Sequence, residues 1–135
     1  MESTIPVADR AVRFARRVFL VAGVYGLLAL VPLYFLEEAL ARAFPPPLTH
    51  PDHFYGFLGV TLAWQIAFLV IARDPARFRP LMAVAVVEKF LPALSVAALV
   101  AGGRTPSAAL GPSAIDFVLG IFFLIAFRRL RPAAE

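Results

Sequence analysis

The sequence predicts an all-α fold: a bundle of four transmembrane helices with both termini in the cytoplasm. Three observations predict it. Hydrophobic residues fill 61% of the 135 positions and charged residues only 16%, against about 45–50% and about 25% in a soluble domain. The apolar residues fall into four runs, each near the roughly 20 residues that a helix needs to cross a bilayer. Basic residues gather at alternate ends of those runs, as membrane topology signals do.

Four spans use about 80 residues, which leaves no room for a separate soluble domain, so residues 1–135 form one integral membrane domain. The first span covers about 18–36, behind a basic segment with Arg10, Arg13, Arg16 and Arg17. Pro32 should kink its later part, because proline lacks the N–H that would close the helical hydrogen bond. Glu37, Glu38 and Arg42 mark the exit into water. Ala39-Leu40-Ala41 and Ala41-Arg42-Ala43 resemble signal-peptide cleavage sites, but the apolar run exceeds the 7–15 residues of a signal core. A retained helix is the expectation. Pro45-Pro46-Pro47 then reads as a stiff, non-helical connector.

The second span covers about 54–72. Thr49 and Asp52 have the spacing of a capping box, with Pro51 in the first turn. Arg73 ends the span, and Asp74-Pro75 suits the start of a short interfacial turn. The third span covers about 80–101, is interrupted by Pro92, and closes at Gly102-Gly103. The fourth covers about 113–130, behind a second capping-box spacing, Ser113-x-x-Asp116.

Orientation follows from the arginines. Ten lie in the N-terminal segment (10, 13, 16, 17), the second connection (73, 77, 79) and the C-terminus (128, 129, 131), whereas Arg42 and Arg104 alone mark the other two connections. Both tails and the middle connection should therefore face the cytoplasm. The net charge of +4 is explained by the same placement, so nucleic acid is not an expected partner.

Ionisable residues inside a span are expensive and usually face the bundle interior. Counting from the arginines at about 1.5 Å per residue puts Tyr25 and Gln65 about 12 Å deep. The same rise puts Glu88 and Lys89 about 13–15 Å deep and Asp116 about 18 Å deep. Four helices thus bring polar groups near the midplane of a core about 30 Å thick. Ala85, Glu88, Pro92 and Ser95 share one stripe of the third span, and Pro92 frees the Glu88 carbonyl. Thr61 and Gln65 are four apart on the second span, where Gly59 and Ala63 offer a small-residue contact surface. The expected pairings are Lys89 with Asp116, and Glu88 with Gln65 or Tyr25. The candidate ligand-binding residues are Tyr25, Trp64, Gln65, Glu88, Lys89 and Asp116. Each also has a plainer role as interhelical glue, core aromatic or helix cap.

Other chemistry has little support. The absence of cysteine removes disulfides, thiolate zinc sites and thiol nucleophiles. No phosphate loop, nucleophile elbow or H-E-x-x-H motif is present. His50 and His53, beside Asp52, form a weak metal candidate only.

The run FYGFLGVTLAWQIAFLVIARDPARFRPLMAVAVVEKF, Phe54 to Phe90, resembles a pattern in small four-span bacterial membrane proteins that are similar in outline to DoxX-like proteins. That resemblance implies a four-helix bundle in the bacterial inner membrane and an accessory role beside quinone-linked redox chemistry. It brings no catalytic motif and no residue roles. The leading functional expectation is a midplane pocket for a quinone or lipid. Different-class alternatives are a proton-coupled transporter using Glu88, an enzyme acting on a lipid, and a structural helix bundle. Expected partners are the bilayer and either a membrane-protein complex or further copies of the chain.

Overall fold

The computed structural model describes residues 7–43 and 48–130. The Pro45-Pro46-Pro47 connector and Arg131 lie outside them. Among the described residues the chain is helical throughout, with no strand. The elements are α1 (Val7–Leu30), α2 (Glu37–Ala43), α3 (Pro51–Arg73), α4 (Arg79–Ala101) and α5 (Leu110–Arg129), with 3₁₀ turns at Val31–Phe35 and Ser107–Ala109. Four helical stretches are long and apolar enough to cross a membrane: Ala8–Phe35, Pro51–Arg73, Arg79–Ala101 and Ser107–Arg129. At 23 residues, α3 is about 34 Å long, enough for a bilayer core.

The helices alternate in direction. Arg16 near the start of α1 donates to the Arg73 carbonyl at the end of α3, 3.3 Å away. Arg79 at the start of α4 donates to the Phe127 and Leu130 carbonyls at the end of α5. Ser113 in α5 bonds the Ala93 carbonyl of α4 at 3.1 Å. One side of the bundle therefore holds the beginning of α1, the end of α5 and the α3–α4 connection. This is called the terminal side below, and the opposite end the far side. Packing is most extensive within two pairs, α1 with α3 and α4 with α5, and the pairs meet mainly through α1 and α5.

Proline ends α1 as the sequence predicts, but α4 runs unbroken through Pro92, so the interruption expected there is corrected. Pro32 stands in the 3₁₀ turn that finishes α1, because its missing N–H ends the regular ladder. Asp74 Oδ1 accepts the Arg77 backbone N–H at 3.1 Å, forming the turn into α4. Gly103, at φ +67°, ends α4 in a Schellman motif. Its N–H bonds the Val100 carbonyl and that of Arg104 bonds Leu99, a geometry that needs a left-handed residue at this position. Two capping expectations are also corrected. His50, not Thr49, is the N-cap of α3, and it makes no side-chain cap bond. The last helix starts at Leu110, so Ser113 and Asp116 lie inside it and their side chains bond across to α4.

The core lies toward the terminal side. Phe19 of α1 stacks on Phe123 of α5 with centroids 4.2 Å apart, and Phe68 of α3 meets Phe123 edge-on at 4.9 Å. All three rings are fully buried, with Met82, Ala85 and Ala126 around them. In lipid, apolar surface gains little by leaving the solvent, so close packing of this kind holds the helices together. Elsewhere the surface is apolar, as at Leu28, Val60, Leu91 and Val118. Exposure on that scale suits a lipid-facing belt rather than a water-facing one.

Candidate functional site

The gap between the two helix pairs opens toward the far side, where small residues form part of its border. Gly26 and Ala29 of α1, Thr61 of α3 and Pro112 of α5 border a cavity of about 300 Å³. No ring reaches in from these positions, whereas three rings fill the equivalent space on the terminal side. The walls are apolar, formed by Leu30, Leu33, Phe57, Ile115 and Leu119. Besides Thr61, the polar lining comes from Tyr25, Gln65, Lys89 and Asp116, four of the six sequence-derived candidates. A second opening of about 380 Å³ lies between α3 and α4, lined by Trp64, Glu88 and Asp116 among others. The two spaces share Phe57, Thr61 and Asp116.

Lys89 is the centre of the polar layer. It is 4% exposed, and its Nζ lies 2.9 Å from Asp116 Oδ1 and 3.5 Å from Glu88 Oε2. It also stands over the Phe68 ring, 5.3 Å from the centroid, where the negative face of the ring attracts a cation. A buried ammonium is tolerable only when paired in this way. Neighbours in a helix point about 100° apart, so Glu88 faces α3 while Lys89 faces the interior, and the four-carbon lysine stem lets its ammonium reach back. Glu88 Oε2 is itself buried and makes no hydrogen bond. Two carboxylates face one ammonium, and only Asp116 accepts a hydrogen bond from it.

The inward stripe of α4 differs from the one expected. Met82, Ala85, Lys89 and Ala93 are buried, whereas Pro92 and Ser95 are exposed. Gly120 of α5 allows this face to pack closely. A Cβ there would stand 3.3 Å from Lys89 Cβ and 3.1 Å from the Phe90 ring, so the bare glycine leaves room for that face of α4 against α5. Gly59 and Ala63 of α3 are also exposed. The small residues that let α1 approach α3 are Gly23 and Gly26. A Cβ on Gly23 would press on Leu69 and the Gln65 carbonyl, and one on Gly26 would collide with the Gln65 side chain.

The remaining candidates fall as follows. The Lys89–Asp116 pairing forms as expected. Gln65 does not meet Glu88, because its amide Nε2 donates to the Thr61 carbonyl one turn earlier at 3.0 Å. Its oxygen instead sits against Gly26. Trp64 packs beside Phe68, centroids 6.1 Å apart. Tyr25 is half-exposed at the cavity edge. Thr61 and Gly26 also line the cavity, although counting the depth of ionisable groups does not single them out. Gly26 was legible, since Ala15, Phe19, Ala22 and Gly26 follow one helical stripe.

His50, Asp52 and His53 form a separate exposed group at the start of α3, their ligand atoms within 4.8 Å of one another. Glu37 is held elsewhere by the Tyr55 hydroxyl, which donates to it at 2.6 Å. Comparison with protein-family models, curated proteins and solved structures finds no match for this chain.

Proposed function

We propose that this chain is an integral membrane protein that binds an apolar small molecule, a quinone or a lipid, in the cavity between its helix pairs. The observation that carries this reading is the make-up of the cavity, with apolar walls on three helices and a few convergent polar groups. That is the usual composition of a small-molecule site. A quinone carbonyl would accept a hydrogen bond from Lys89 or Gln65, while its ring and tail lie along Leu33, Phe57 and Leu119. The arginine distribution supports cytoplasmic termini, and the DoxX-like resemblance supports a bacterial inner membrane and an accessory redox role. The layer is read as a binding site, with no catalytic role assigned to its residues.

Native mass spectrometry on the gently extracted protein tests the proposal. Wild type should retain a small molecule that Gln65→Leu loses while staying folded. Retention of nothing by wild type, after incubation with short-chain quinones and native lipid extract, would refute it.

A second reading, a proton-coupled transporter, is favoured by one observation: openings on two faces of the bundle meet at Asp116, with the unbonded Glu88 oxygen beside them. Under that reading Glu88→Gln abolishes pH-dependent flux in proteoliposomes without loss of fold. Unchanged flux would remove it.

A further inference from the structure

A shallow groove of about 480 Å³ runs between α1 and α3 on the terminal side, lined by Arg16, Leu20, Leu69, Ala72 and Arg73. It is separate from the polar layer and shares no lining residue with it. We propose that this groove binds one anionic phospholipid, its phosphate held by Arg16 and Arg73 and the start of its acyl chains laid along Leu20 and Leu69.

The argument begins with spacing. Arg16 precedes Leu20 by four residues on α1, and Arg73 follows Leu69 by four on α3. Because the two helices are antiparallel, both guanidinium groups stand at one level and both leucines one turn deeper, about 6 Å away. Charge next to the interface with apolar surface directly beneath it matches the layout of a phospholipid.

The arginines are also available. Among the described residues, no carboxylate lies within ion-pair distance of either guanidinium, since the pairs present are His53–Asp52, Lys89–Glu88 and Lys89–Asp116. Arg16 donates one bond, to the Arg73 carbonyl, which fixes its direction and leaves most of its five N–H donors free. Three other arginines at this end are engaged. Arg79 bonds the Phe127 and Leu130 carbonyls, and Arg129 and Arg77 stand over the Phe14 and Phe78 rings. Planar guanidinium groups match phosphate oxygens in pairs. Leu20 is 47% exposed, so the apolar part of the groove opens sideways, where lipid chains lie and a soluble anion gains nothing. Charge complementarity and this lateral opening together select a lipid over free phosphate.

The test uses the full chain in mild detergent with an equimolar mixture of phosphatidylglycerol and phosphatidylcholine of identical chains, read by native mass spectrometry. Two basic residues near an anionic lipid are worth roughly 20- to 30-fold in affinity. The first lipid bound to wild type should therefore be phosphatidylglycerol by at least about tenfold. Arg16→Gln/Arg73→Gln should bring the preference to within about twofold. Arg10→Gln/Arg128→Gln, with the same loss of charge away from the groove, should keep it. Arg16→Lys/Arg73→Lys preserves both charges and should retain part of the preference, which separates charge loss from misfolding. Equal loss in the control pair, complete loss in the lysine pair, no preference in wild type, or displacement of the lipid by soluble glycerol phosphate would each overturn the assignment.

Discussion

Removing the Lys89 ammonium while keeping its stem, as in Lys89→Met, tests whether the polar layer holds the bundle together. In wild type that ammonium lies 2.9 Å from Asp116 and 3.5 Å from Glu88. The variant leaves two carboxylates facing each other across a space that had one cation. Breaking a fully buried ion pair costs about 3–5 kcal/mol. Here the Asp116 side chain is 37% exposed to the cavity, and screening at such a site lowers the figure. Polar contacts between membrane helices measure lower still, about 0.6 kcal/mol on average and up to about 1.7. Weighing these, Lys89→Met should lose about 2–3 kcal/mol. Asp116→Asn should lose only about 1 kcal/mol, because Glu88 remains beside the ammonium. The coupling between the two in a double-mutant cycle should be about 1–2 kcal/mol. Neutralising all three groups, as Glu88→Gln/Lys89→Met/Asp116→Asn, should recover stability to within about 1 kcal/mol of wild type. The assay is reversible unfolding in mixed micelles, followed by fluorescence of Trp64, the single tryptophan, which packs against Phe68 beneath the lysine. A Lys89→Met protein as stable as wild type, or a coupling near zero, would refute the reasoning.

Two further substitutions separate cavity from scaffold. Gly26→Ala should cost about 1–2 kcal/mol, since the whole Gln65 side chain from Cγ outward must turn into the cavity, and it should abolish ligand retention in native spectra. Gly23→Ala, whose Cβ would stand 3.0 Å from the Gln65 carbonyl, has backbone in its way and should lose about 1–3 kcal/mol in the same unfolding assay. Arg79→Gln removes the bonds to Phe127 and Leu130 and the contact over Phe127, 4.0 Å from its centroid. It should lower stability by about 1–2 kcal/mol and speed amide exchange at the end of α5, leaving α3 unchanged.

Much of the site was legible as a level but not as a set of contacts. Depth along a helix is a count of residues, so the placement of Tyr25, Gln65, Lys89 and Asp116 near one plane followed from rise alone, and these four do line one cavity. Facing direction is different. Adjacent Glu88 and Lys89 are equally polar, and the choice of which turns inward depends on where a neighbouring helix comes closest. Gly120, on a different helix, gives the room for the Lys89 face to come closest. The capping boxes misled for a similar reason. Ser113 and Asp116 have cap spacing, but the helix begins three residues before Ser113, and their side chains find better partners on α4.

By itself, the sequence determined that the chain is helical, that four segments are long and apolar enough to span a bilayer, and where polar groups interrupt them. These are one-dimensional properties: hydrophobic length against a fixed bilayer thickness, and proline or glycine at the ends. The tertiary structure alone decided that α1 pairs with α3 and α4 with α5. It also decided that three phenylalanines close the terminal side while a cavity opens on the far side, and that Lys89 rather than Glu88 is the buried one of the two. The physical reason is that helix pairing in lipid rests on close contact of surfaces. Close contact at Gly23, Gly26 and Gly120 depends on the shape of a residue on another helix.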